Sequence, residues 1–127
     1  MSSHRILVVD DSPDIRQIIT LFLRRFGYEL LEAENGTVAI ETAVAEDPAL
    51  ILLDFRLPDI NGLKVAQALQ KLPTTADIPI IGWTSEPMSK PPKEELQQAG
   101  FVAWLDKPIS LIALEMLVER FVPRPQR

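Results

Sequence analysis

The chain has 127 residues, 46% hydrophobic and 24% charged, with a formal net charge of −5 and a pI near 4.8. That is the size and balance of one globular domain with a single full core, and its acidity argues against a nucleic-acid surface. It has no cysteine and one histidine, His4 in the polar N-terminal lead, which excludes disulfides, thiol catalysis, thiolate metal sites and histidine-based metal or triad chemistry. No apolar run approaches the roughly 18 residues of a membrane span, and no signal-peptide core follows "MSSHR". A cytoplasmic, water-soluble domain without a membrane or nucleic-acid partner is expected.

In chain order, Arg5–Val9 reads as a buried strand. Pro13–Phe26 follows with Ile15, Ile18, Ile19, Phe22 and Phe26 at helical spacing, Ser12 as cap, Pro13 in the first turn and Gly27 as stop. Tyr28–Ala33 is a second strand, Asn35–Gly36 a turn, and Thr37–Glu46 a short Ala-rich helix. Leu50–Leu53 is a third strand, apolar throughout as in a parallel sheet covered on both faces. Leu63–Leu72 is helical, with Leu63, Ala66, Leu69 and Leu72 on one side. Ile78–Trp83 is a fourth strand, Pro92–Ala99 a short polar helix ended by Gly100, and Phe101–Leu105 a fifth strand. Ser110 caps a last helix that runs to about Val122, and 123–127 is a polar C-terminal tail. Five such βα units predict an α/β domain over 5–122. Its sheet is parallel, five-stranded and doubly wound in order 2-1-3-4-5, with helices on both faces.

Active groups in such sheets gather at the carboxyl ends of the strands. Strand one ends in Asp10–Asp11, strand three in Asp54, strand four in Thr84–Ser85 and strand five in Lys107–Pro108. Strands one and three are neighbours in this order, so three carboxylates come within a few ångströms. At about 5 Å, two such charges repel by roughly 3 kcal/mol even at an effective dielectric of 20. A raised pKa, a lysine or a bound cation must relieve this. Oxygen-only donors suit Mg²⁺ or Mn²⁺. Taken singly, each residue has an ordinary explanation: Asp10 or Asp11 as a helix cap, Asp54 as a turn former, Thr84 as a strand residue, Lys107 as a solvated charge. Their joint placement at strand ends is what points to a site.

"ILVVDDSPDIR", "LILLDFRLPDINGL", "IPIIGWTS" and "GFVAWLDKPI" resemble the receiver domain of bacterial two-component response regulators, over residues 5–122 in order and spacing. The resemblance implies that Asp54 is the phosphoacceptor, attacking the phosphohistidine of a sensor histidine kinase or phosphotransfer protein. It implies Asp11 as a direct Mg²⁺ ligand, Asp10 as a ligand through water, and the Arg56 backbone carbonyl as a third protein ligand. Thr84 then bonds one phosphoryl oxygen and Lys107 pairs with another. Arg56 and Glu86 flank access to the phosphoryl group, and their opposite charges suggest a pair across the cleft mouth. Thr84 and Trp104 take the switch positions. The resemblance further implies a signalling domain rather than an enzyme, with output to a downstream protein partner through the helix 4–strand 5–helix 5 face. Homodimerisation on phosphorylation is left open.

Three departures stand out: Trp104 where Tyr or Phe is usual, Ser85 where Ala or Gly is usual, and Pro87, Pro91 and Pro92 in a loop that normally moves. The Lys107–Pro108 peptide is expected to be cis. The last helix carries more apolar residues than one buried stripe accommodates, so some should reach the surface. Two other functions compete: a receiver-like adaptor independent of phosphorylation, and a phosphatase of the haloacid-dehalogenase type. The latter calls for Asp-x-Asp on strand one and a cap insertion, whereas here the acids are adjacent and the cap is absent.

Overall fold

The computed structural model describes residues 4–84, 91–106 and 108–125. Strands and helices alternate: β1 (Arg5–Val9), α1 (Pro13–Arg24), β2 (Glu29–Ala33), α2 (Gly36–Glu46) and β3 (Leu50–Asp54). They continue with α3 (Gly62–Gln70), β4 (Ile80–Thr84), α4 (Lys93–Gln98), β5 (Phe101–Asp106) and α5 (Leu111–Phe121). The strands form one parallel sheet in the expected order β2-β1-β3-β4-β5.

Period-two alternation divides the core. Leu7, Val9, Ile51, Leu53 and Ile80 pack with Ala39, Ala43, Val65, Ala66, Leu69 and Leu96 from α2, α3 and α4. Ile6, Val8, Leu50, Leu52, Ile81 and Trp83 face the other way, against Ile19 and Leu23 of α1 and Leu114 and Val118 of α5. Every residue of β3 is buried, which is why this strand carries no polar alternation.

Side-chain caps start four of the helices. Ser12, Asn35, Asn61 and Ser110 accept hydrogen bonds from the amides of Ile15, Val38, Lys64 and Ala113, at 3.3, 2.8, 2.9 and 3.2 Å. Each such cap is typically worth about 1 kcal/mol.

Element ends shift from expectation where the backbone finds other partners. α1 stops at Arg24 rather than Phe26, because Phe26 and Gly27 donate in tight turns to the carbonyls of Leu23 and Arg24. Gly27 takes φ 94°, a conformation that costs a non-glycine residue. α3 ends at Gln70 rather than Leu72 for the same reason, Lys71 and Leu72 turning onto Ala68 and Leu69. β4 starts at Ile80 rather than Ile78. The Ile78 amide is used by Thr75, and Pro79 has none to give to the ladder. At their other ends β3 and β4 reach Asp54 and Thr84, so both residues belong to the rigid sheet.

Candidate functional site

The carboxyl edge of the sheet holds the acids. Asp10 follows β1 directly and is fully buried, Asp54 closes β3 at 3% exposure, and Asp11 is exposed. One oxygen from each lies within 4.8 Å of the others. Two unit charges at such a separation repel by about 3 kcal/mol at an effective dielectric of 20, so a cation is favoured there. Three hard oxygen donors without nitrogen or sulfur match what Mg²⁺ accepts.

Asp54 is held from two directions. Its Oδ1 accepts the Arg56 amide at 3.1 Å, and the next amide, Phe55, donates to the Trp83 carbonyl of β4 at 2.9 Å. The loop beyond closes tightly, with the Gly62 amide on the Phe55 carbonyl at 2.7 Å. A Cβ on Gly62 would lie 2.9 Å from both the Asp54 carbonyl oxygen and the Phe55 Cα, so only glycine permits this approach. Asp59, in the same loop, accepts from the Gly36 and Thr37 amides and the Thr37 hydroxyl, at 2.8, 2.9 and 2.7 Å. These donors, the Gly36 amide foremost, hold the Asp59 carboxyl well below the usual carboxylate range.

Asp10 is fixed still more completely. Its amide donates to the Ala33 carbonyl at 3.2 Å, and its carbonyl accepts from Arg16 Nη1 at 2.6 Å. Oδ1 accepts the Ser12 amide at 2.9 Å, and Oδ2 accepts Trp83 Nε1 at 3.0 Å. Neither Trp83 nor Arg16 was singled out from sequence as part of the site. Strand alternation carried the signal for Trp83: Ile81 and Trp83 share a face with Ile6, Val8, Leu50 and Leu52, the face on which Asp10 and Asp54 continue.

Thr84 is buried at the end of β4, one residue past Trp83, the ladder partner of Asp54. Arg56 is exposed. Trp104 lies opposite Gly82 in the β4–β5 ladder and is partly buried. Its ring contacts Phe55 and Phe101, with centroids at 5.7 and 5.4 Å. A Cβ on Gly82 would stand 2.6 Å from that ring, so the small residue on β4 makes room for the large one on β5. Lys107, Glu86, Ser85 and Pro87, with the Lys107–Pro108 peptide, lie outside the described residues.

Two surface grooves flank these elements without including the carboxylates. One of about 280 Å³ is lined by Leu96, Phe101 and Trp104 among others. The other, about 260 Å³, runs between α1 and the start of α5. The Asp10, Asp11 and Asp54 carboxylates cluster outside both grooves, at the acidic edge.

Residues 6–119 match the model of the response regulator receiver domain family. The chain belongs to this family. Among curated relatives, the receiver is 44% identical over 86 residues to the phosphate regulon transcriptional regulatory protein PhoB of Pseudomonas aeruginosa, covering 68% of this chain and 38% of PhoB. It is 34% identical over 124 residues to the transcriptional regulatory protein SrrA of Staphylococcus aureus, covering 98% of this chain and 50% of SrrA. The receiver thus spans half or less of the length of these relatives.

Among solved structures, the chemotaxis protein CheY4 of Vibrio cholerae superposes with a TM-score of 0.83 at 29% identity, over 92% of this receiver and 97% of CheY4. The receiver domain of sensor histidine kinase PA1611 from Pseudomonas aeruginosa, solved with a magnesium ion in its active-site cleft, gives 0.82 at 28% identity. That match covers 94% of this receiver and 97% of its counterpart. Among the described residues, no helix is long and apolar enough to cross a membrane.

Proposed function

We propose that this receiver accepts a phosphoryl group on Asp54 from the phosphohistidine of a sensor histidine kinase or phosphotransfer protein, in the cytoplasm. A carboxylate oxygen of Asp54 attacks phosphorus and the P–N bond breaks. The imidazole leaves with that electron pair and takes a proton from solvent. The observation that carries this reading is the buried Asp54 carboxylate on the last residue of the central strand, with the Asp10 and Asp11 oxygens within 4.8 Å. Asp10, Asp11 and Asp54, with the Arg56 carbonyl, would hold Mg²⁺, and Mn²⁺ suits the same donors. When bound, the cation supplies charge neutralisation for the carboxylates and the incoming phosphoryl oxygens.

Thr84 bonds one phosphoryl oxygen in this reading and Lys107 pairs with another, so the domain acts by positioning and charge rather than as a turnover enzyme. Thr84 and Trp104 form the switch, and Arg56 with Glu86 controls the access of water. Output passes to a downstream protein through the α4–β5–α5 face, where Val102, Ile112 and Met116 stand exposed. The same face is available for a homodimer of the phosphorylated form. The relatives PhoB and SrrA are named as transcriptional regulators; only the receiver step is assigned to this chain.

Incubation with acetyl phosphate and Mg²⁺, followed by intact mass measurement, tests the proposal. The expected result is the gain of one phosphoryl group, absent in Asp54→Asn and absent without a divalent cation. No gain in the wild type favours the adaptor reading, and sustained consumption of the donor favours a phosphatase.

A further inference from the structure

Trp83 heads the fully buried side chains in size, and it sits among apolar neighbours on the α1–α5 face. A buried indole N–H needs an acceptor. Here the acceptor is the Asp10 carboxylate, Oδ2 at 3.0 Å. With Ser12 on Oδ1, Ala33 on the amide and Arg16 on the carbonyl, every polar atom of Asp10 is tied down, by the first turn of α1, by β2 and by β4. A helix cap needs only one of the two carboxylate oxygens, which here is the Oδ1 that accepts the Ser12 amide. Fixing both of its oxygens from different elements instead sets the rotation of the carboxylate plane.

We propose that Trp83 is a positioning residue of the metal site. Its indole N–H sets the orientation of Asp10, keeping an oxygen of that carboxylate in range of those of Asp11 and Asp54, and links cation binding to β4 immediately before Thr84. This rests on the cation reading above and adds to it a residue that does not itself touch the ion. Groups that orient metal ligands in this way typically change affinity by about 10–100-fold when removed. Removing one hydrogen bond while leaving an aromatic ring in place belongs at the lower end of that range.

Trp83→Phe removes the N–H and keeps a six-membered ring in the core. Calorimetric titration of the intact chain should give a Mg²⁺ dissociation constant about tenfold weaker than the wild type. In the Asp10→Asn background the same substitution should add little, since the carboxylate it orients is gone. A core-filling role alone lowers the unfolding temperature and leaves Mg²⁺ affinity unchanged. A second arm needs no substitution and decides the matter where Trp83→Phe does not fold. In the ¹⁵N-labelled wild type, the Trp83 indole resonance should move along the Mg²⁺ titration with the calorimetric midpoint, while that of Trp104, on the opposite face of the sheet, moves less. An unchanged affinity in folded Trp83→Phe, or a Trp83 resonance that stays put at saturation, overturns the proposal. A wild type that binds no Mg²⁺ overturns the cation reading as well, so the two failures are distinguishable.

Discussion

Asp59 ties the loop after Asp54 to the start of α2 with three hydrogen bonds to its carboxylate from Gly36 and Thr37. The first two amides of a helix have no partner within it, so an anion there is favoured twice, by hydrogen bonding and by the helix dipole. Its folded-state pKa is depressed below the unfolded value of about 3.9. The sign follows: its stabilisation is fully present above the unfolded pKa and is lost as pH falls through the folded one. The unfolding-temperature gap between wild type and Asp59→Asn should be flat from neutral pH to about 5 and narrow below about 4, as thermal melts across that range would register. A constant gap removes the carboxylate charge from the account. Gly62 offers a second test in the same loop, because the atoms a Cβ would strike are backbone and cannot swing aside. Gly62→Ala should cost about 1–3 kcal/mol in urea unfolding and slow phosphorylation by acetyl phosphate, since relief requires moving the backbone of Asp54 and Phe55. The acids at the strand ends were legible residue by residue. The Asp59 and Trp83 bonds were not, because each joins positions 22 or more apart through a side chain whose target depends on the packed fold.

Elements were the most legible scale, since alternation and helical spacing report which face is covered. The expected strands and helices all appear in order, and their ends move by at most a few residues where Pro79, Gly27 or a tight turn redirects an amide. The excess of apolar residues in α5 is likewise borne out: Leu114 and Val118 are fully buried, while Ile112 and Met116, four residues apart on the outer face, are 72% and 64% exposed. This division predicts opposite outcomes along one helix. Ile112→Lys and Met116→Lys should each leave stability within about 0.5 kcal/mol of the wild type. Leu114→Ala should lose about 2–5 kcal/mol, because a filled site in the core becomes a cavity. Urea unfolding of the three variants separates them, and a large loss at Met116 would mean that this face is packed in solution. The pairing of Gly82 with Trp104 was less accessible from sequence. Trp104 and its departure from the usual aromatic were visible, but the space made for it on β4 requires the β4–β5 register.

A parallel sheet gives the whole molecule two unlike ends, and the Asp10, Asp11 and Asp54 carboxylates gather at one of them. At the other end, Tyr28 stands just before β2, and its hydroxyl donates to the Val122 carbonyl just past α5, a buried bond of 2.6 Å. Arg124 extends this clasp: its guanidinium pairs with the buried Glu115 at 2.7 Å and lies 4.3 Å over the ring of Phe26. The hydrogen bond to the Glu115 carboxylate raises the Arg124 pKa above its already high ordinary value. The start of the polar tail beyond residue 122 is therefore fastened to the α1–β2 corner. Composition alone could not reveal that, because an arginine after a helix reads equally well as solvated. Tyr28→Phe leaves the Val122 carbonyl without this donor and should cost about 1–2 kcal/mol in urea unfolding. Arg124→Ala should also lower stability, by exposing the Glu115 charge to a pocket shaped for a cation, and the loss should be smaller in a Glu115→Gln background. Since the clasp and the carboxylates lie at opposite ends of rigid strands, both variants should keep the wild-type Mg²⁺ affinity and rate of phosphorylation by acetyl phosphate under conditions where they remain folded. A fall in either quantity that tracks the loss of stability would show that the two ends are coupled through the sheet, and the separation argued from the topology would then be wrong.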